Sequence, residues 1–275
     1  MTGEFTKMHG LGNDFMVVGR ADATWPDPRT VRRLADRRTG VGFDQLMLVL
    51  PAPDARHHAA YRIFNADGSE ARQCGNGARC VARWVAERDT LGSGEIRLAS
   101  PAGTVRARLL DDGRVEIDMG IPAFEPADVP LRAAQRTPVY RRHAAGRQVE
   151  FGAVSMGNPH AVLDVANVHD APVGILGPAL ETHSDFPERT NVGFMQVLHR
   201  GRLRLRVHER GVGETRACGT GACAAVAIGR SWGLLDEAVT VELPGGELEL
   251  RWAGEGAAVW MTGEAIRVYE GRLTP

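Results

Sequence analysis

Asn65-Ala66-Asp67-Gly68-Ser69-Glu70-Ala71-Arg72-Gln73-Cys74-Gly75-Asn76-Gly77-Ala78-Arg79-Cys80 decides the reading of this chain, because the chain carries it twice in altered form. The second copy runs Glu209-Arg210-Gly211-Val212-Gly213-Glu214-Thr215-Arg216-Ala217-Cys218-Gly219-Thr220-Gly221-Ala222-Cys223. In each, a glycine-bearing turn leads to Cys-Gly-(Asn/Thr)-Gly-Ala, and an alanine-rich apolar run of helical periodicity follows. Cys74 and Cys218 are therefore expected at loop-to-helix junctions. There the leading backbone N–H groups and the positive end of the helix dipole lower a thiol's pKa and attract anions.

Polar residues elsewhere repeat on the same period. Cys218 lies 144 positions after Cys74, and Glu209 the same distance after Asn65. Asn158 follows Asn13 by 145 positions and Asn191 follows Gln45 by 146. A period this long is no solenoid; it is an internal duplication. It predicts an α/β (α+β) protein of two similar domains about a pseudo-twofold axis, with a cleft where the motif loops converge. Gly120-Ile121-Pro122 begins a proline-bearing crossing, so the boundary is set at 1–119 (with 264–275 returning to it) and 120–263. Periodicity predicts helices over 30–38, 80–88, 175–183 and 224–232. Short alternating or apolar strands are predicted through most of the remainder.

Composition sets outer limits. With 275 residues, 43% hydrophobic and 24% charged, the chain is long enough for two packed domains. A formal net charge of -1 gives no reason to expect nucleic acid or an anionic membrane as partner. No apolar stretch approaches the roughly 20 residues of a membrane span. Met1-Thr2-Gly3-Glu4-Phe5 shows no export-signal core, so a cytoplasmic setting with reduced thiols is expected. The pairs Cys74/Cys80 and Cys218/Cys223 lack zinc-knuckle spacing, and no metal is expected. Lys7 is the one lysine, every other basic residue being arginine; a pyridoxal phosphate Schiff base could form only there.

Two thiols on opposite sides of a cleft suit inversion at one carbon: a thiolate removes a proton from one face while a thiol delivers one to the other. A cysteine of ordinary pKa is only about 3% thiolate at neutral pH, and the pair titrates as a unit. The carbanion has no electron sink in this sequence. The available stabiliser is electrostatic, from helix N-termini that each carry about half a positive charge. Gly75-Asn76 and Gly219-Thr220 are placed to offer those N–H groups. Cys80 and Cys223, inside apolar runs, read as core. Asn13, Gln45, Asn65, Asn158 and Asn191 are turn formers or, given their recurrence, pocket lining. Arg210 can grip a carboxylate bidentately. Glu209 could face an ammonium or influence a thiol, and His160 could assist proton transfer.

These motifs resemble the signature of the diaminopimelate epimerase family. The similarity continues through His9-Gly10-Leu11-Gly12-Asn13-Asp14-Phe15, Gly157-Asn158-Pro159-His160 and Phe186-Pro187-Glu188-Arg189-Thr190-Asn191. The resemblance implies two halves, each a β-sheet wrapped around a central helix. It also implies cofactor-independent interconversion of LL- and meso-2,6-diaminoheptanedioate, toward lysine and peptidoglycan. In the LL-to-meso direction Cys218 would accept the proton and Cys74 donate one, with His160 and Glu209 assisting. Gly75, Asn76, Gly219 and Thr220 would hold the reacting end. Asn65, Asn158, Asn191 and Arg210 would hold the distal centre, with Asn13 and Gln45 also lining the site. The family resemblance further implies a homodimer with Tyr269 at its contact. Rival readings are a proline racemase-like epimerase, which would leave Arg210 without a role, a phenazine-biosynthesis-type isomerase, whose members do not keep both cysteines, and a thiol redox switch.

Overall fold

The structure, a computed structural model, describes residues 3–21, 24, 26–89, 91 and 94–273. The first two residues and the last two, assigned above to the ends of the first half, lie outside the described residues. Contacts divide the chain into two units, Met1–Asp118 with Thr262–Pro275, and Met119–Met261. The division falls one or two residues from the boundaries set on sequence. Met119 goes with the second unit because its N–H bonds Val259 O at 2.8 Å.

The first unit opens with β1 (Gly3–Gly10) and β2 (Asn13–Gly19), then α1 (Pro28–Ala35), β3 (Gln45–Leu50), β4 (Ala59–Asn65) and β5 (Glu70–Ala71). It continues through α2 (Gly75–Arg88), β6 (Glu95–Ser100), β7 (Gly103–Leu109) and β8 (Val115–Asp118). β1 pairs antiparallel with β2, β2 runs parallel to β3, and β3 antiparallel to β4. β4 then takes β5 antiparallel and β6 parallel, with β7 and β8 following antiparallel. Alternation sends Met16, Val18, Leu46 and Leu48 into a core shared with Val31, Leu34 and Ala35 of α1, as the two-residue period of a strand requires. The opposite face receives α2, which packs against β1, β2, β3, β6, β7 and β8. The sheet thus has one helix inside its curve and a smaller one outside.

Helix α1 starts where Asp27 accepts the N–H groups of Arg29 and Thr30 at 2.9 and 3.0 Å, with Pro28 in the first turn, a standard entry. It ends three residues before the predicted 30–38 limit. Asp36 Oδ1 instead accepts the N–H groups of Arg38 and Thr39 at 2.8 and 2.7 Å, and this local turn outcompetes a further helical turn.

The second unit repeats the plan. Its elements are β9 (Tyr140–Ala144), β10 (Arg147–Ser155), β11 (Pro159–Asp164), α3 (Val173–Glu181), β12 (Asn191–His199), β13 (Arg202–Glu209) and β14 (Gly213–Thr215). α4 (Gly219–Ser231), β15 (Ala238–Leu243), β16 (Gly246–Arg251) and β17 (Trp260–Gly263) follow, and β18 (Ile266–Leu273) returns to β1, antiparallel. β10 to β11 is antiparallel, β11 to β12 parallel and β12 to β13 antiparallel. β13 takes β14 antiparallel and β15 parallel, and β16 closes antiparallel. This is the pairing order of β1 to β7 strand for strand, so the duplication read from residue offsets is also one of topology. α4 is buried from Ala222 to Gly229. A helix apolar on all sides belongs inside a sheet, and α4 packs against β10, β11, β12, β13 and β16. α3 covers the outer face, with Leu176 and Leu180 in a core that includes Phe151 and Phe194.

The second glycine of each Cys-Gly-x-Gly sets how closely the inner helix approaches its sheet. A Cβ on Gly77 would stand 2.8 Å from both Sδ and Cε of Met47, and one on Gly221 2.9 Å from Val207. Gly77→Ala is therefore expected to destabilise the protein by about 1–3 kcal/mol through overpacking. Gly174→Ala, on the open side of α3 with nothing within 4 Å, should be neutral or stabilising by up to about 1 kcal/mol. Urea denaturation of the two variants checks the contrast.

Candidate active site

In each unit the inner helix begins at the motif cysteine. Cys74 caps α2 with extended backbone (φ -152°), and Cys218 caps α4 likewise (φ -118°). The first helical bonds run from Ala78 N–H to Cys74 O and from Ala222 N–H to Cys218 O, at 2.8 and 3.0 Å. The amides of Gly75, Asn76, Gly219 and Thr220 lie ahead of those bonds, at the positive end of each helix. All four cysteines are thiols outside any disulfide. Cys80 and Cys223 are fully buried, and burial pushes the Cys80 thiol up to about 12.

Around Cys74 an amide oxygen and a backbone N–H both reach the sulfur. Asn13 Nδ2 donates to Asp44 Oδ2 at 2.9 Å; a carboxylate only accepts, so this bond fixes the amide and turns Oδ1 toward the helix. Asn13 Oδ1 then receives Asn76 Nδ2 at 3.3 Å and the Cys74 thiol at 3.9 Å, while Gly77 N–H reaches Cys74 Sγ at 3.4 Å. Arg79, fully buried, donates to Asn76 Oδ1 at 2.8 Å and to Glu264 O at 3.2 Å. Asp44 is held by Arg37 at 2.7 Å. On the neighbouring strand ends Gln45 lies opposite Asn65. Gln45 Nε2 donates to Asn65 Oδ1 at 2.9 Å and Asn65 Nδ2 to Ser69 Oγ at 3.0 Å. The side-chain oxygen of Gln45 is buried with no hydrogen-bond partner among the described residues.

Around Cys218 a hydroxyl and a carboxylate bear on the sulfur. His160 Nε2 lies 3.1 Å from Asn158 Oδ1, Asn158 Nδ2 donates to Thr220 Oγ1 at 3.3 Å, and Thr220 Oγ1 stands 3.6 Å from Cys218 Sγ. With Thr220 accepting from Asn158, its own proton is available to the sulfur. Cys74 thus has an acceptor and a donor within reach, Asn13 Oδ1 and Gly77 N–H, while Cys218 has the Thr220 hydroxyl and the Glu209 carboxylate. Burial lowers the His160 imidazole to about 3, with the Arg210 charge adding to it. His160 therefore stays neutral at any working pH and can hold or relay a proton but not serve as a standing cation. Its Nδ1 is buried without a hydrogen-bond partner among the described residues.

One expectation fails. Cys218 sits at a helix N-terminus, yet burial and then the Glu209 charge push its thiol well above the usual range, and the Thr220 hydroxyl and Gly221 amide only oppose this. Desolvation disfavours the thiolate, and the neighbouring carboxylate adds to it. Glu209, at the end of β13, accepts from Thr215 Oγ1.

The remaining residues stand at strand ends or turns of their own units. Asn191, buried at the start of β12, donates to Pro159 O at 2.9 Å and accepts Arg210 N–H at 3.0 Å. Arg210 is exposed, and its Nη1 donates to Glu188 O at 2.8 Å. Lys7 is buried, its ammonium on Asp14 and on Gly42 O. Burial would raise the Asp14 carboxyl, but hydrogen bonds from Arg37 and Lys7 hold it well below the carboxylate range. Asp44, Ser69 and Thr215 carry contacts that motif reading missed; Asp44 and Ser69 adjoin residues singled out above, which was the available signal. No group of three His, Cys, Asp or Glu side chains among the described residues is arranged to hold a metal, and among those residues no helix is long and apolar enough to cross a membrane.

A duplicated sheet with a central helix in each half defines a fold class that several solved structures share. A hydroxyproline epimerase from Agrobacterium vitis, crystallised with trans-4-hydroxy-L-proline, superposes with a TM-score of 0.71 at 18% identity, over 99% of this chain and 92% of that one. A PhzF-family phenazine biosynthesis protein from Bacillus anthracis does so at 0.67 and 15%, over 100% of both chains. Sequence narrows the class. The profile described as diaminopimelate epimerase matches residues 5–125 and 152–268. Curated diaminopimelate epimerases from Alkalilimnicola ehrlichii and Nitrosomonas eutropha are 54% and 52% identical, over 98% of this chain and 98% of each of theirs. The chain belongs to the diaminopimelate epimerase family.

Glu209→Gln removes the anion beside Cys218, so the Cys218 value should fall. At pH 8 the Cys218-bearing peptide is expected to take up iodoacetamide faster in this variant than in the parent, as read by mass spectrometry. An equal or slower rate would remove Glu209 as a cause of the shift.

Proposed function

We propose that the chain is a cofactor-independent epimerase that interconverts LL- and meso-2,6-diaminoheptanedioate at one α-carbon, on the route to lysine and peptidoglycan precursors. The observation that carries the mechanism is a thiol at the N-terminal cap of the inner helix in each half, Cys74 on α2 and Cys218 on α4. In the LL-to-meso direction the Cys218 thiolate takes the α-proton, the C–H electron pair stays on carbon, and the Cys74 thiol returns a proton to the opposite face. Cys218 leaves the step as thiol and Cys74 as thiolate; exchange with solvent resets them. An acceptor at Asn13 suits a cysteine that must hold its proton until needed. A donor at Thr220 suits one that must become an anion.

The raised Cys218 value fits this role. A thiolate that is hard to make is correspondingly basic, and an amino acid α-proton is very weakly acidic. Glu209 is the acceptor placed to take the thiol's proton. The amides of Gly75, Asn76, Gly219 and Thr220 face the reacting carboxylate, where charge develops; donors of this kind are typically worth about 10²–10³-fold in rate. Arg210 grips the distal carboxylate, with Asn65, Asn158 and Asn191 around the distal centre and Asn13 and Gln45 lining the site. The unpartnered Gln45 oxygen is a ready acceptor for an ammonium. His160 holds Asn158 in the orientation that supplies Thr220. We also assign the working form as a cytoplasmic homodimer. Tyr269 of β18, 44% exposed and set edge-on to Phe5 at 5.9 Å, is placed at its contact.

Incubation of the reduced protein in D2O with LL-diaminopimelate, without pyridoxal phosphate, is expected to yield the meso isomer carrying deuterium at one α-carbon. Cys74→Ala and Cys218→Ala should each lower this turnover by at least about 10²-fold, since one base cannot complete an inversion. Turnover of L-proline in its place would move the protein to the racemase branch.

A further inference from the structure

Arg210 owes its position to two side chains from other segments. Its own N–H is held by Asn191 Oδ1 at 3.0 Å, and the next N–H, that of Gly211, by Glu181 Oε1 at 2.8 Å. Glu181 is the last residue of α3 and is 7% exposed. Its second oxygen accepts from His208 Nε2 at 2.7 Å, and Arg189 approaches the first oxygen at 3.5 Å. Both ends of this arrangement are crowded. A Cβ on Gly177 would fall 2.6 Å from His208 Cγ, so a glycine at this position of α3 lets the imidazole lie close to the helix and reach the carboxylate one turn on. Arg189 has a left-handed backbone (φ 60°), which turns the chain so that Glu188 O meets the Arg210 guanidinium. One buried carboxylate therefore ties α3, β13, the turn after β13 and the segment before β12.

We propose that Glu181 is a positioning residue for the distal carboxylate of the substrate: it fixes the Arg210–Gly211 turn and, through Arg189, the carbonyl that aims the Arg210 guanidinium. This rests on the reading that Arg210 binds that carboxylate. The hydrogen bonds of Glu181 run to His208 and Gly211, outside the chains that reach the two motif cysteines, so its effect falls on binding more than on proton transfer. Burial alone would raise its carboxyl, but the hydrogen bonds from His208 and Gly211 outweigh it and keep the group low. The group is thus an ionised acceptor through the neutral range. A buried acceptor already satisfied from three directions is a rigid anchor, because each partner lost leaves an unpaired polar group behind.

Steady-state kinetics with LL-diaminopimelate on Glu181→Ala, Glu181→Asp, Glu181→Gln and Arg210→Ala test this. Glu181→Ala and Glu181→Asp, the second keeping the charge but withdrawing it by one methylene, are expected to raise KM by about tenfold or more while kcat falls less than about threefold. Glu181→Gln keeps an acceptor for Gly211 and should stay within about threefold of the parent in KM. Arg210→Ala should raise KM at least as far as Glu181→Ala. If Arg210→Ala raises KM and a folded Glu181→Ala or Glu181→Asp protein does not, the positioning role is overturned alone. If Arg210→Ala leaves KM unchanged, the distal-carboxylate reading fails and this inference with it. A fall in kcat without a rise in KM also overturns it, and thermal melting identifies which variants are folded. Should the alanine variant not fold, the contrast between the aspartate and glutamine variants decides the same question.

Discussion

The absence of a side chain at Gly77 and Gly221 is the constraint on which each half depends. It lets the first turn of an apolar helix rest on strands whose own side chains are large: Met47 and Phe15 in one half, Val207 in the other. The helix N-terminus is thereby held at the ends of three strands. β2 and β3 are parallel and begin there, while β4, antiparallel to β3, ends there. Asn13, Gln45 and Asn65 stand at those strand ends for this reason, and Asn191 and Glu209 follow by the same topology in the second half. A methyl group at either glycine would lift the cysteine cap away from its polar partners before it changed any of them.

Within one repeated backbone the two helix caps have different charged groups near them. The residue four beyond the first glycine is Arg79 in one motif and Cys223 in the other. A fully buried guanidinium is costly unless every donor is used; Arg79 directs its donors to Asn76 and a backbone carbonyl, and so orders the network under Cys74. In the second half that position is a buried thiol, and the charge that bears on Cys218 is the Glu209 carboxylate. Duplication supplied two similar helix caps, and unlike neighbours now surround them: Asn13 and the Arg79–Asn76 pair by Cys74, Thr220 and Glu209 by Cys218.

Much of this was legible in the chain itself. Cys-Gly-x-Gly-Ala marked both helix starts, because glycine and a following apolar run signal a cap and a buried helix together. The residue offsets placed Asn13, Gln45, Asn65, Asn158 and Asn191 at matching points, and strand pairing follows the same correspondence. The short strands β5 and β14 were not legible, since two or three residues carry no period to read. The end of α1 was missed because Asp36 looks like any polar helix residue until its carboxylate is seen bonding forward. The Cys218 thiol was misread for a deeper reason: the dipole argument is local, whereas burial and the approach of Glu209 are tertiary. Glu181 had no signal at all. It ends an otherwise apolar helix, and the groups that hydrogen-bond it, His208 and the Gly211 N–H, are 27 and 30 residues away along the chain.

Lys7 is sealed in an ion pair with Asp14, and it is the one lysine in the sequence. The rest of the positive charge is guanidinium, which does not deprotonate in any range a protein survives. Most proteins shed surface charge as the medium turns alkaline and their lysines neutralise. This one enters the alkaline range with its guanidinium charges intact. The same feature closes the surface to enzymes that acetylate or ubiquitinate lysine side chains, and leaves charge regulation of this fold to its acids and its sulfur.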